Sequence, residues 1–420
     1  MIFSKAILRN PFHYIIIGFI LRTLGEVGNI LLKSNDVIAI FGIISWYFLI
    51  KGYLKIFNKG LHNPLRGFYK YVFYFYIIQC IIMILRGYII DYDYQWISIQ
   101  GMINFHLFSP FYILPYIMPL IIFIPYKYYN LTLFSKASCL FALILIAIFI
   151  FQFNQILHAS ILASRGFNEG NYGIGGNLVD IYVPFAFIIL CKKYIPSKIW
   201  YINCLGLTVA LLITLIAARR GSSTILALLF IFNFIVLLQS IRGAKKIIYL
   251  FIFLITILAS ISFFFHSNKF TFIRERGLED TRSNVDNTLL SQMNSTELIF
   301  GKGLNGRYYL PLLEDDYLNG WRYGTETGFY NLVLKGGYLM AFTYVILLFY
   351  PAFLGIFKSK NLLSKSFGFY ILLSLVELYP FGWLAFNAKF LTIWIGISLC
   401  ISPKFRSLND YQIKTYIFKQ

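Results

Sequence analysis

Acidic side chains are scarce in this chain, 17 Asp and Glu in 420 residues against 37 Lys and Arg, and charge of either sign accounts for only 13% of positions. With 59% hydrophobic residues and apolar runs near 20 residues recurring from end to end, an ordinary soluble core is excluded. Segments of about ten alternating residues, the mark of a transmembrane barrel, are missing too. There are five cysteines, Cys80, Cys139, Cys191, Cys204 and Cys400, all in or at the ends of apolar runs and none in CxxC spacing. That pattern implies neither a disulfide framework nor a metal site, and they read as small core residues. Five scattered histidines (His13, His62, His106, His158, His266) show no metal-ligand spacing either.

What remains is an all-α, polytopic integral membrane protein. Its apolar runs predict about twelve spans, near 11–32, 36–54, 70–90, 109–126, 133–156, 177–191, 198–218, 222–241, 246–265, 327–351, 366–380 and 383–401. The first run ends in Leu31, Leu32 and Lys33 without a small-residue cleavage pattern, so it reads as a retained span. The chain divides into nine spans over 1–265, a large loop over 266–326, and three spans with a short tail over 327–420.

Lys and Arg in short loops gather on the cytoplasmic side of a membrane. Here twenty-two of the 37 cations fall at every second gap: Lys5 and Arg9; Lys51 to Lys70; Lys127 and Lys136; Lys192, Lys193 and Lys198; Arg242, Lys245 and Lys246; Lys358 to Lys365; and Lys404 to Lys419. One acid, Asp410, accompanies them, and the other sixteen lie in the remaining gaps or in spans. An even number of spans with both termini in the cytoplasm produces this alternation, and a missed helix would scramble it. The formal net charge of +20 thus describes anchoring to anionic lipid. Scattered over seven short loops, the cations form no patch for a nucleic acid.

The gap from 266 to 326 lies on the outer side by this count and carries nine acids and seven bases. A structureless connection that long is uncommon unless it is functional. Its aromatic and apolar content predicts a small folded cap with short helices near 269–278 and 284–299. A second outer gap, 157–176, includes Arg165 and Asn171 within a run rich in glycine. Its glycines suit tight turns or close approach to a ligand. The two halves of the chain show no repeat by eye, which weighs against a two-halved transporter.

Charges at the ends of spans need a reason, since ionised groups in hydrocarbon are costly. Arg219 and Arg220 close the outer end of the seventh span, a face where cations are disfavoured. They point to an anionic ligand, which guanidinium forks grip in bidentate fashion, and the Gly221-Ser222-Ser223-Thr224 helix start adds amide donors; snorkelling or an ion pair with a loop acid is the plain alternative. Arg22 and Glu26, four apart, share a helix face and read as a structural pair, with lining of the substrate path as the alternative. Arg86, Asp180, Glu377 and Lys389 each stand near an outer rim, as cavity lining or as packing groups. Glu326, where the large loop enters the tenth span, is placed for a partly desolvated general base or for a helix-capping acid.

Three stretches together resemble the O-antigen polymerase and O-antigen ligase superfamily of bacterial envelope enzymes. Ala218-Arg219-Arg220-Gly221 is similar to that family's Ser-Arg-Gly element, with Arg220 on the family arginine and Arg219 where serine is usual. The run from Arg276 through Asp280 and Arg282, followed by Gly301-Lys302-Gly303, resembles its Asp-Ser-Arg element and Gly-x-Gly turn. Glu326-Thr327-Gly328 through Gly337 resembles a third element in which ligases carry a histidine where Glu326 stands, a difference that points to polymerase. Arg165 and the turn after it look like the preceding loop element. The likeness spans roughly residues 160 to 340.

The resemblance implies glycosyl transfer at the periplasmic face of a bacterial inner membrane. The donor is a glycan on undecaprenyl diphosphate and the acceptor another carrier-linked repeat unit, with no cofactor, metal or nucleotide sugar. A flippase and a chain-length regulator are the expected partners. Arg220, Arg219, Arg165, Arg282 and Arg276 are the candidates for the anion, with Asn171 beside them; Glu326 is the candidate base and Arg220 its catalytic partner. Tyr308, Tyr309 and Trp321 are candidates to stack on sugars, or else to pack the cap. The rival readings are a ligase, a lipid-linked glycan flippase or other transporter, and an assembly scaffold.

Overall fold

Helix α1 (Pro11–Leu32) starts at a proline whose missing N–H costs nothing there, behind Asn10, whose side chain accepts from the Phe12 amide at 3.0 Å. It folds back on α2 (Asn35–Asn58) as an antiparallel hairpin. The two approach closely because the seam is glycine: a Cβ on Gly18 meets Leu49 at 2.6 Å and one on Gly25 meets Phe41 at 2.8 Å. The computed structural model describes residues 10–89, 109, 111–164, 179–217, 219–240, 243, 246–248, 251, 282–311, 320–380, 382 and 384–418. Within these follow α3 (Gly67–Ile89), α4 (Thr132–Ser164), α5 (Ser197–Ile216), α6 (Arg220–Ser240), the loop helices α7 (Arg282–Ser291) and α8 (Ser295–Phe300), then α9 (Gly328–Phe357), α10 (Leu362–Glu377), α11 (Ala388–Ile401), α12 (Pro403–Ser407) and α13 (Asp410–Ile417).

The chain is an all-α membrane protein: seven of the described helices are long and apolar enough to cross a bilayer. The predicted run at 246–265 lies almost wholly outside the described residues, as does the short helix expected near 269–278. The run near 109–126 is a correction. It forms 3-10 segments, Leu114–Tyr116 and Met118–Phe123, because Pro115 and Pro119 each remove a donor and block a continuous α-helix. The run at 177–191 also tightens into 3-10 form over Val183–Cys191, with Pro184 in its first turn. The loop helix expected over 284–299 is two helices, since Asn294 caps a new one with Glu297 in a reciprocal box.

Which faces meet lipid follows from exposure. Ile40, Ile43, Ile44, Tyr47, Ile50, Leu54 and Phe57 form a helical stripe on α2, exposed in the protein alone and so turned toward hydrocarbon. By contrast every residue of α11 except Lys389 is buried, which makes it the central helix, packed against α9, α10 and the 3-10 segment Met118–Phe123.

Among the described residues, several of the basic segments meet at one end of the bundle. At the basic end Asn10 Nδ2 donates to Tyr128 O, His62 N to Phe123 O, Leu131 N to Ile417 O and Lys360 N to Arg406 O. Asp410 is the hub there. Its carboxylate accepts from Lys193 Nζ at 2.6 Å, Tyr194 OH at 2.6 Å and the Leu362 amide at 2.8 Å. Burial alone pushes that carboxyl upward, but these donors outweigh it and hold the pKa below the ordinary value. A depressed folded pKa contributes stability above the unfolded value, and the contribution is lost as pH falls through about 4 and below. Thermal melting of the wild type should therefore fall more steeply on acidification across that window than melting of Asp410→Asn, and parallel curves would remove Asp410 from the account.

At the other end the large loop is sewn to the bundle by backbone. Arg86 donates to Phe300 O at 2.8 Å, Leu304 N to Met83 O at 3.1 Å and Asn305 to Gly87 O at 2.8 Å. Helix α9 breaks at Gly337 (φ 73°), and the carbonyls of Leu334 and Lys335 accept from Lys302 N and Gly303 N at 2.8 and 2.9 Å. Only glycine fits this seam, since a Cβ at Gly337 lies 2.0 Å from Ile299 O. The Gly301-Lys302-Gly303 turn is thus a packing joint.

Candidate functional site

Helices α10 and α11 have 16 and 14 residues, about 24 and 21 Å at 1.5 Å per residue, short of the roughly 30 Å hydrocarbon core. Both start or finish at the basic end, so the shortfall appears at the loop end. The irregular connection between them, with Pro380, Gly382, Ala385 and Asn387, forms part of the wall of a cavity of about 780 Å³. Irregular backbone at this depth is tolerable because it lines a cavity instead of facing lipid.

Among the described residues, six ionisable groups from five segments line that cavity: Asp180, Arg219, Arg282, Glu326, Glu377 and Lys389. Three of them, Arg219, Arg282 and Glu326, are predicted site residues. The others stand among the rim charges noted in the sequence. Arg86 does not belong here; it anchors the loop through Phe300. Arg22 and Glu26 pair along α1 at 3.9 Å, as their spacing predicts.

Arg219 sits in the turn between α5 and α6. Its amide donates to Thr214 O at 2.9 Å, and its carbonyl accepts from Ser223 N and Oγ at 3.0 and 3.1 Å, which sets the direction of the side chain. Gly221 and Ser222, at the start of α6, line the cavity beside it. Arg220 is described only as the first helical backbone position of α6, while Arg165, Asn171 and Arg276 lie outside the described residues.

Glu326 owes its direction to its neighbours. Residues 325–327 alternate, with Thr325 and Thr327 each 2% exposed and Glu326 turned the other way. Both threonine hydroxyls donate to the Asp286 carboxylate, at 2.7 and 2.8 Å, and Asp286 on α7 is itself buried. This triad locks α7, and with it Arg282, to the strand of loop that bears Glu326. Sequence reading missed Asp286; the signal was a lone acid in a short loop helix with two threonines flanking the candidate base. Removing the carboxylate in Asp286→Ala takes the acceptor from the buried Thr327 hydroxyl and one partner from Thr325, so a loss of about 1–3 kcal/mol in unfolding free energy is expected, measured by denaturant melting in detergent. A change below about 0.5 kcal/mol would show that the loop is held elsewhere.

Two expectations for Glu326 are corrected. It is not partly desolvated, because its side chain is 71% exposed. It is not a capping acid either, since α9 begins at Gly328 behind Thr327 and the carboxylate points to Arg282 instead, at 3.4 Å. The sugar-stacking expectation fails for Tyr308. Its ring is 1% exposed, its hydroxyl donates to Gly324 O at 3.3 Å, and burial pushes the phenol up to about 12. Trp321 and Tyr309 stand edge to face on a two-stranded ribbon, Tyr308–Tyr309 with Trp321–Arg322, and the Arg307 guanidinium covers the Trp321 ring at 4.5 Å. Neither ring lines the cavity.

The three ion pairs differ in strength. Arg219 to Asp180 is 3.6 Å with the side chains 33% and 62% exposed, and Arg282 to Glu326 is 3.4 Å at 32% and 71%. Exposed pairs of this length are worth about 0–1 kcal/mol, so an incoming anion can displace either carboxylate at little cost. Glu377 and Lys389, at 3% and 12% exposure, form a short, buried pair that does not open so easily. Beneath them a narrow void continues past Tyr370 and Ser374. Among the described residues no group of three His, Cys, Asp or Glu is arranged to hold a metal ion. No family model, curated protein or solved structure matches the chain.

Proposed function

We propose that this cavity receives the diphosphate of a lipid-linked glycan, and that the protein polymerises undecaprenyl-diphosphate-linked repeat units into a surface polysaccharide. The cavity then faces the periplasm of a bacterial inner membrane, with twelve spans and both termini in the cytoplasm. The observation that carries the reading is that Arg219, Arg282 and Glu326, distant in sequence, line one cavity at the loop end, each arginine in a weak pair with a carboxylate.

On this reading the diphosphate oxygens replace Asp180 and Glu326 as partners of Arg219 and Arg282, a bidentate exchange that strengthens both contacts. Release from Arg282 frees the Glu326 carboxylate only when a donor is present. The acceptor hydroxyl then attacks the anomeric carbon, Glu326 takes its proton, and the bond from that carbon to the phosphate oxygen breaks. The polyprenyl diphosphate leaves with the bonding pair, its charge held by the two guanidinium groups. The open form of the cavity suits a substrate whose lipid stays in the bilayer and whose sugar extends outward.

A gene deletion complemented with variants tests this. Loss of the protein should leave acceptors bearing a single repeat unit. A ligase would instead leave long polymer on its carrier, and a flippase would remove both products. Arg219→Ala should reproduce the deletion, with polymer reduced about 10²–10³-fold, as for other preorganised charge-stabilising donors. Asp180→Ala should remain active, because the carboxylate only occupies the arginine at rest. Equal loss in both variants would mean the pair is structural.

A further inference from the structure

At the basic end, far from the cavity above, a second pocket of about 350 Å³ opens between the turn after Cys191, the second half of α6 and the start of α10. Its walls include Leu190, Lys192, Lys193, Asn233 and Leu362. Asn233 is the informative residue. It is a carboxamide within the otherwise apolar stretch 225–238 of α6, 6% exposed, and its Oδ1 accepts no hydrogen bond among the described residues. A buried carbonyl oxygen without a donor is costly unless something else fills the role. Beside it are two ammonium groups. Lys192 rests over the Trp200 ring at 4.2 Å, and Lys193 is held by Asp410 at 2.6 Å. The α10 amides at Leu362 and Leu363 are already satisfied by Asp410 and by Tyr194 OH.

We propose that this pocket binds the phosphoglycerol headgroup of an anionic lipid. The phosphate lies against Lys192 and Lys193, and a headgroup hydroxyl donates to Asn233 Oδ1. A choline headgroup has no donor for that oxygen, and ethanolamine brings a cation beside two others. The site is independent of the proposed polymerisation.

Native mass spectrometry of the full-length protein in mild detergent tests the assignment, with phosphatidylglycerol, phosphatidylethanolamine and phosphatidylcholine added at equal concentration. One phosphatidylglycerol should be retained in preference to both others. Lys192→Ala and Asn233→Leu should each weaken retention about fivefold, the factor for one ammonium or one hydrogen bond. Lys358→Ala removes an exposed cation at the same end outside the pocket and should leave retention unchanged. Melting of lipid-free Asn233→Leu should match or exceed the wild type, since an unpaired carbonyl is replaced by an apolar group of similar size, while the shift on adding phosphatidylglycerol shrinks. Equal retention of the three lipids overturns the proposal. So does an equal effect of Lys358→Ala, which signals diffuse attraction, or unchanged retention in Asn233→Leu. Displacement of the lipid by millimolar inorganic phosphate assigns the pocket to a free phosphate instead.

Discussion

Glu326→Gln is expected to lower polymer synthesis by about 10²–10⁴-fold while leaving the donor bound, because glutamine keeps the shape of the side chain and cannot take a proton. The magnitude separates the two roles open to this residue. If Glu326 only pairs with Arg282, the exposed bridge is worth at most about 1 kcal/mol, and its loss changes activity less than about sixfold. Single-turnover assays with a synthetic lipid-linked donor and acceptor decide between them, read alongside retention of the donor by the purified variant. Near-normal turnover in Glu326→Gln would end its candidacy as the base. Arg282→Ala tests the coupling from the other side: it leaves the base unmasked but the donor weakly held, so the loss should appear mainly as a raised KM for donor, with a lowered kcat from the missing charge.

The second large effect is on the fold. Glu377 lies at the end of α10 and Lys389 in the first turn of α11, and they form the tightest ion pair in the cavity, almost closed to solvent. Breaking one partner strands a charge in a low-dielectric recess. Glu377→Ala should therefore destabilise by about 3–5 kcal/mol, seen as a large drop in melting temperature by tryptophan fluorescence and in the yield of folded protein. The double variant Glu377→Leu with Lys389→Met should recover most of that loss, since well-packed apolar groups replace a buried pair at little net cost. A recovered fold without recovered polymer would assign Lys389 a place beside Arg219 and Arg282 on the diphosphate. Single variants as stable as wild type would mean that water reaches the pair.

The cavity is built at the place where the expected spans fall short. Pro184 tightens one run into a 3-10 segment whose start lines the cavity, and α10 and α11 end early, so the recess opens where the apolar count alone predicts continuous helix. Run length alone does not register this, because hydropathy averages over residues whose backbone departs from the α-helix. The rim charges Asp180, Glu377 and Lys389 were visible individually, as ionisable groups at the ends of apolar runs are. Their pairing was not: Asp180 meets Arg219, and Glu377 meets Lys389, only because different elements bring them together. Asp286 and its two threonines carried no periodicity at all.

The sequence by itself determined that this chain crosses a membrane, which gaps share an end, and where uncompensated charge must be accommodated. These follow from the cost of placing charge and unpaired backbone in hydrocarbon, a cost that depends on local composition. The tertiary structure alone decided which apolar faces meet protein and which meet lipid. It also decided that α11 is central, and that Arg219, Arg282 and Glu326 converge on one cavity. The physical reason is that lipid tails are as apolar as leucine, so hydropathy does not distinguish a lipid-facing helix from a buried one, and packing between distant segments sets the difference.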